Sequence, residues 1–526
     1  MPRHRCRLNR LVKITDAMGS TIQFSYDANG NVRTQVDQKG NTTTTTYNAI
    51  GKPVSVTDPL LKSETMAYEV GGLIKQKIDR KGQLSSVSYD ALGRAKRMGF
   101  GASAAVPTGF KSVIELTWDK ANRLTTIVDK TCATPTTSLN CASVASTSTI
   151  SRSFDDLDRL TKEVTPQGEV AYTYDKGGRR TAMTVTNGPA SAKVVQPKIT
   201  YTWDKADRLT QISQAAGAIN GNVAQTVSFS YDKAGRRTQT KLANGSTVNT
   251  AYDAAGQTTA IVYKKADATV IGDLSYGYNL NGRRISVGGS LARVNLPGAN
   301  VTDATYDAAN RLKTWGGKSY SYDDNGNLIA DGVNAYQWDE RNQLKSIAAG
   351  VTPLAGFQYD SQGRRVGKTI GAATTGYVYD GDNFVQELLG TGLSSAVKAQ
   401  LLTGGVDETY LRIEGGNLNS VLPDANNNTV RLLDGAQAKV ADYSYEAYGA
   451  TTADAVNGNT QQYTGRENDN PGNSQGLYYY RARYYMPGCA RFISEDPIGW
   501  ASGQTNGYAY VGGGSDIDEG PQWPMW

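Results

Sequence analysis

The chain carries few of the groups on which enzymes usually build chemistry. Its single histidine, His4, lies near the N-terminus of 526 residues, which argues against a Ser/His/Asp or Cys/His nucleophilic site and excludes a histidine-rich metal site. Of four cysteines, Cys132 and Cys141 bracket "CATPTTSLNC": they either close a small loop in an oxidising compartment or stay as two thiols. Carboxylates remain. Two of them close enough to share a proton keep one member neutral as an acid while the other activates water. The densest stretch of functional side chains is "GLYYYRARYYMPGCARFISEDPIGW", Gly476 to Trp500, with five tyrosines, three arginines and an Asp-Pro. It reads either as an active site or as the last seal on a structure.

The elements around it are repetitive. "YDANGN" at Tyr26, "YDALGR" at Tyr89, "WDKANR" at Trp118, "YDKGGR" at Tyr174, "YDKAGR" at Tyr231 and "YDSQGR" at Tyr359 are copies of one unit, and weaker copies stand at Tyr47, Tyr68, Phe154, Tyr252, Tyr278 and Tyr379. A fixed period of this kind marks an array in place of one globular core. Each unit predicts a hairpin. The aromatic residue ends a strand, Asp accepts backbone N–H groups at the turn, Gly or Asn takes the left-handed conformation three residues later, and Arg or Asn opens the next strand. Strands such as "TTTTTY" and "VSFSY" alternate only weakly, which suits a sheet with water on at least one side. The repeated residues are therefore read as structural, and function is sought where the pattern breaks.

A net charge of +6, with 55 basic and 49 acidic residues interspersed, marks no nucleic-acid face. No apolar run reaches the roughly 18 to 20 residues of a membrane-spanning helix, and "MPRHRCRLNR" has no apolar stretch behind it as a signal peptide would.

The "YDxxGR" units resemble the YD repeats of the RHS family, and Tyr443 to Val511 resembles the RHS repeat-associated core, above all in "YTGRENDNPGNSQGLYYYRARYYMPGCARFISEDPIGWASGQTNGYAYVGG". The resemblance implies an all-β fold: a spiralling antiparallel sheet of hairpin repeats forming a hollow, partial cocoon, closed by a C-terminal core plug. It implies a repeat shell over 1–440, the core over 441–513 and a degenerate tail over 514–526. It further implies an aspartic self-cleavage in which Asp469 of "REND" and Asp496 of "EDPIG" act with Arg483 of "RARYY" beside them. Each has a plain alternative, since both aspartates precede strong turn signals and Arg483 could stack between tyrosines. No cofactor is implied.

Family members continue into an Asp-Pro-x-Gly and a toxin. Here Asp518 is followed by Glu519, and Met1 opens inside a repeat, so the expectation is a truncated chain without cargo or cleavage site. The partners implied are a C-terminal toxin as cargo, a secretion apparatus and an immunity protein, in a secreted or cell-surface setting. The alternative is an adhesion scaffold of teneurin-like shell type that binds glycans or proteins through loops such as Thr131 to Ile150. A free hydrolase is disfavoured by the lack of a nucleophile motif.

Overall fold

The computed structural model describes residues 3–510 apart from 104–108, 137, 138, 140, 142, 189–193, 297–300, 393, 394, 472–475 and 503. The tail over 514–526, with Asp518 and Glu519, therefore lies outside the described residues. Strands run the length of the chain, and the described helical segments are single 3-10 turns such as Ala218–Asn220 and Pro487–Cys489. Two compact units are formed. Over the described residues, one takes in Met1–Ser148, Val301–Pro353 and the segment from Phe492, the other Thr149–Asn300 and Leu354–Arg491.

The repeat does in space what its residue types predict. In the hairpin of Gln83–Tyr89 and Ala95–Ser103, Asp90 accepts the N–H groups of Leu92 (2.9 Å) and Arg94 (3.0 Å) on one carboxylate oxygen and Nε of Arg94 (2.7 Å) on the other. Gly93 closes the turn at φ +75°, and Asn122 does the same after Asp119 at φ +64°. Both lie in the left-handed region that Gly and Asn enter at least cost. The ladder register slips beside the aromatic residue, where Tyr89 faces Ala95 but Ser88 faces Arg97, as a turn ending in a left-handed residue requires.

Two further contacts sew each hairpin to its neighbours. The Tyr89 hydroxyl donates to the Ile74 carbonyl in the preceding hairpin (2.6 Å), and Arg94 Nη1 donates to the Asp119 carbonyl in the following one (3.1 Å). The pattern recurs at Tyr47 to Val32, Trp203 to Arg180 and Tyr252 to Arg237 for the aromatic reach, and at Arg208 to Asp232 and Arg236 to Asp253 for the arginine reach. Replacing Tyr47 with Phe removes one such stitch, a bond of 2.8 Å. The expected loss is about 0.5 to 1.5 kcal/mol, read as a lower urea midpoint at unchanged slope.

In the first unit, strands from Leu11–Thr15 to Gln83–Tyr89 pair antiparallel with their sequence neighbours. Among the described residues, no apolar side chain from Leu11 to Ile78 is fully buried. This sheet is wet on both faces, as the Thr- and Ser-rich strands predict. Its apolar residues cluster later, where Leu84, Ala102, Phe110 and Val113 pack with Cys132 and Cys141. Those two cysteines form a disulfide, which decides between the two readings of "CATPTTSLNC". The C-terminal segment folds into this unit too. The Leu328 N–H donates to the Ile493 carbonyl (2.8 Å), the Tyr508 hydroxyl to the Gly326 carbonyl (2.8 Å), and Phe492 packs on Tyr510.

The second unit has a dry interior. One ladder runs from Leu160–Val164 to Arg284–Gly288 and another from Arg365–Ile370 to Lys439–Glu446. Val170, Met183, Ile212, Val227 and Leu274 of the first pack in one apolar core with Leu388, Leu402, Leu411 and Leu433 of the second. Polar clasps cross the same interface: Tyr263 hydroxyl to the Pro423 carbonyl (2.6 Å), Arg180 to Asp380 (2.6 Å), and Arg237 to Glu408. Weak alternation in the sequence did not announce this core, because its members are spaced singly along many short strands.

Candidate functional site: a buried charge cluster

The site starts from one turn. In "YDSQGRR" the first arginine, Arg364, keeps the repeat's usual job and binds Asp360 through Nε (2.8 Å). The register then slips between Gln358 and Tyr359, so that Arg365 faces Tyr359 and Lys368 faces Phe357. Residues two apart on a strand share a face, so the bulge places Arg365 and Lys368 side by side with Tyr359 and Phe357. No ordinary strand alternation brings positions three apart together in this way.

Against that face lies the short hairpin sheet of Glu467–Asn468, Tyr478–Tyr479 and Tyr484–Met486. The Arg365 side chain is completely buried, and its guanidinium bonds Asp469 and Glu467 at once. Nη1 also reaches the Tyr484 hydroxyl (3.2 Å), while Lys368 Nζ donates to Asp469 Oδ1 (2.8 Å). The guanidinium carbon lies 4.2 Å from the centre of the Tyr479 ring and 5.5 Å from that of Tyr377, distances at which a cation is drawn to the ring face. Burial pushes the Glu467 carboxyl above its ordinary range, against the pull of Arg365 and Lys368. Two cations and two carboxylates thus balance inside an aromatic box.

The sequence-derived candidates fall as follows. Asp469 stands in this cluster, buried and held by Arg365 and Lys368. Arg483 is half-buried just before Tyr484, and its carbonyl accepts the Tyr480 N–H (2.8 Å). Asp496 belongs to the other compact unit. There its carboxylate accepts the Ile498 N–H (3.1 Å), and its carbonyl accepts the Gly499 N–H (2.9 Å), both within its own turn. Its neighbour Glu495 turns inward to Arg80, which also binds Asp58 (3.0 Å), and burial pushes the Glu495 carboxyl up. The residues missed in the sequence are Arg365, Lys368 and Glu467. The second arginine of "GRR", superfluous to the turn, is the available signal for the first. The tyrosines Tyr478, Tyr479, Tyr484 and Tyr485 are all buried, as aromatic residues in a seal would be. Among the described residues, no group of His, Cys, Asp or Glu side chains has an arrangement that could hold a metal ion, and no helix is long and apolar enough to cross a membrane.

A hairpin array stitched by aromatic and arginine side chains is the architecture of RHS/YD repeats, which this chain carries. The RHS Repeat model matches residues 7–38, 26–60 and 154–190, and the Teneurin YD-shell model matches residues 194–380. Among curated proteins the chain is similar to the tRNA3(Ser)-specific nuclease WapA of Bacillus spizizenii, with 31% identity over 253 residues, 46% of this chain and 10% of that protein. It is also similar to the double-stranded DNA deaminase toxin A of Burkholderia cenocepacia (28% over 319 residues, 50% of this chain and 21% of that one). The probable deoxyribonuclease RhsB of Dickeya dadantii matches at 26% over 371 residues, 66% of this chain and 24% of that one. The chain thus spans about a tenth to a quarter of the relatives it matches. In fold it is similar to a chain in the crystal structure of TcdB2-TccC3-Cdc42, with TM-score 0.62, 16% identity, and coverage of 97% of this chain and 30% of that one. A chain in the Photorhabdus luminescens Tc holotoxin pore gives TM-score 0.59 at 15% identity, covering 98% of this chain and 33% of that one.

Proposed function

We propose that this chain is shell of an RHS-type polymorphic toxin, a hollow β-wall that encloses a C-terminal toxic enzyme and keeps it from acting before delivery. The observation that carries the reading is the stitched hairpin that recurs among the described residues from Tyr26 to Tyr379, in a chain whose sequence kin are named as nucleases and a deaminase toxin. The stretch from Leu11 to Ile78, with no fully buried apolar side chain among its described residues, suits a wall around an unfolded or partly folded guest better than a compact catalytic body. Residues 441–513 act in this reading as the plug. The setting is secretion or the cell surface, with a secretion apparatus and an immunity protein as further partners.

The test is a fusion of this chain, after Val511, to a nuclease of known activity. Sequestration predicts that the nuclease is silent and resists protease while the shell is folded, and recovers when it is unfolded and the nuclease refolds. A fusion that cuts nucleic acid and is digested as readily as the free nuclease would overturn the reading. Self-cleavage by Asp469 and Asp496, with Arg483 beside them, is tested in the same fusion by inserting an Asp-Pro-x-Gly segment at the junction. Release on a denaturing gel that disappears in both Asp469→Asn and Asp496→Asn supports it, and release that survives either change refutes that residue's role. The scaffold alternative draws on the Teneurin YD-shell match over residues 194–380, and specific retention on a glycan array by the unfused chain would favour it.

A further inference from the structure

We infer that Lys368 and Asp469 are the two ends of an intramolecular isopeptide bond, with Arg365 holding the developing oxyanion. The placement is what such a reaction needs. Lys368 Nζ lies 2.8 Å from Asp469 Oδ1, while Arg365 occupies the other oxygen, Oδ2. The Asp469 side chain is fully buried and that of Lys368 nearly so. Glu467 shares the guanidinium with Asp469. Phe357, Tyr377, Tyr479 and Tyr484 surround the same guanidinium. Held so, amine and carboxyl react as parts of one molecule, and the entropy of bringing them together has been met by folding.

The chemistry balances without oxidant or reductant. Lys368 passes a proton along its 2.8 Å bond to Oδ1 of Asp469, and the neutral amine adds through its lone pair to Cγ. The negative charge on Oδ2 is stabilised by Arg365, an oriented donor in a water-poor site. A second proton then moves from the nitrogen to the same oxygen, Oδ1, which leaves as water as the C–N bond becomes an amide. Of the three ammonium protons, two depart in the water and one stays on the amide nitrogen. The product leaves one cation and one carboxylate, Arg365 and Glu467, where there were two of each. Since every buried charge carries a desolvation cost, the site favours the step. The bond joins the strand Arg365–Ile370 to the segment beyond Glu467–Asn468, closing a loop between positions 101 apart.

The experiment is mass spectrometry on the purified, reduced and denatured chain. The expected mass is lower than that of the sequence by one water, and a tryptic digest shows no cleavage after Lys368 but a branched peptide joining it to Asp469. Lys368→Arg, which keeps the cation and its ion pair but removes the nucleophile, regains the missing water. Asp469→Asn forms the same bond with loss of ammonia in place of water, a signature no structural role of Asp469 would produce. A wild-type chain at full mass with Lys368 in linear peptides overturns the inference, as does a Lys368→Arg chain that still lacks the water. The wild-type reading does not depend on any variant folding. Because the bond consumes the carboxylate that self-cleavage would use, the same spectrum separates the two fates of Asp469.

Discussion

Replacing Arg365 with methionine is expected to cost about 3 to 5 kcal/mol at neutral pH, the usual penalty for removing one partner of a buried ion pair. Methionine fills most of the volume, so the loss isolates the charge. Arg365 is the ion-pair partner of Glu467, whose carboxyl is deeply buried, and nothing of the solvent can replace it there. The pH dependence follows from the direction of the Glu467 shift. Its folded carboxyl binds a proton at higher pH than in the unfolded chain, so stability contributed at this position rises as pH falls through that window. Without the guanidinium the window widens upward, and the variant's deficit should shrink between pH 7 and pH 5. Urea midpoints of wild type and variant at both pH values measure it. A deficit that is equal at the two would place the cost elsewhere than in the unpaired carboxylate.

Arg412→Met is expected to cost a similar amount, about 3 to 5 kcal/mol, with its pH dependence in a more acidic range. Arg412 grips Glu387 with two bonds of 2.9 Å across the strand Val397–Thr403 that lies between their own, and also binds Glu414. Lys398 stands 3.2 Å from the same carboxylate. Burial works against the charge of Glu387, yet the two cations prevail and hold its carboxyl down at about 2, against an ordinary value of 4.5. A depressed folded pKa gives stability that is present above the unfolded value and lost as pH falls from about 4.5 towards 2. Wild type should therefore weaken steeply in that acid range, while the variant, already without the pair, should show a flatter profile. Thermal unfolding followed by circular dichroism from pH 5 to pH 2.5 distinguishes the two. Parallel curves would show that Glu387 does not need Arg412 to stay charged.

The contrast between these two sites explains what the sequence discloses and what it hides. The turn jobs of Asp90, Gly93 and Arg94 are local, with partners at most four positions away, so residue types in order suffice to read them. The reach of Tyr89 to Ile74 spans 15 positions but recurs with the period, which makes the array as a whole legible. The second arginine of each "GRR" is different. Arg180 meets Asp380, 200 positions on, and Arg365 meets Asp469, 104 positions on, and no period links such partners. Asp469 was therefore visible as a carboxylate beside a turn signal, whereas its cationic partners depend on how one ladder is laid against another segment. Asp496 illustrates the reverse: its Asp-Pro stands out in the sequence, yet in space that carboxylate accepts a hydrogen bond in its own turn and the less conspicuous Glu495 faces Arg80.

The direction of the stitches has a consequence for how the chain is made. Aromatic side chains such as Tyr89 and Tyr252 reach back to a strand already present, while arginines such as Arg94 and Arg236 reach forward to a turn carbonyl that does not yet exist when their own hairpin forms. On a ribosome, which releases the chain from the N-terminus at about 5 to 20 residues per second, every emerging hairpin finds a finished template behind it and leaves an unfilled donor ahead. Growth is thus vectorial, with little need for distant segments to search for one another, and contacts between successive hairpins keep the loop-closure cost of each step small. An array of this design has no internal reason to stop: its arginine reaches end at Arg364, which finds the Gly381 carbonyl, because the next unit, at Tyr379, carries no arginine. Its length must be set by whatever segment breaks the pattern.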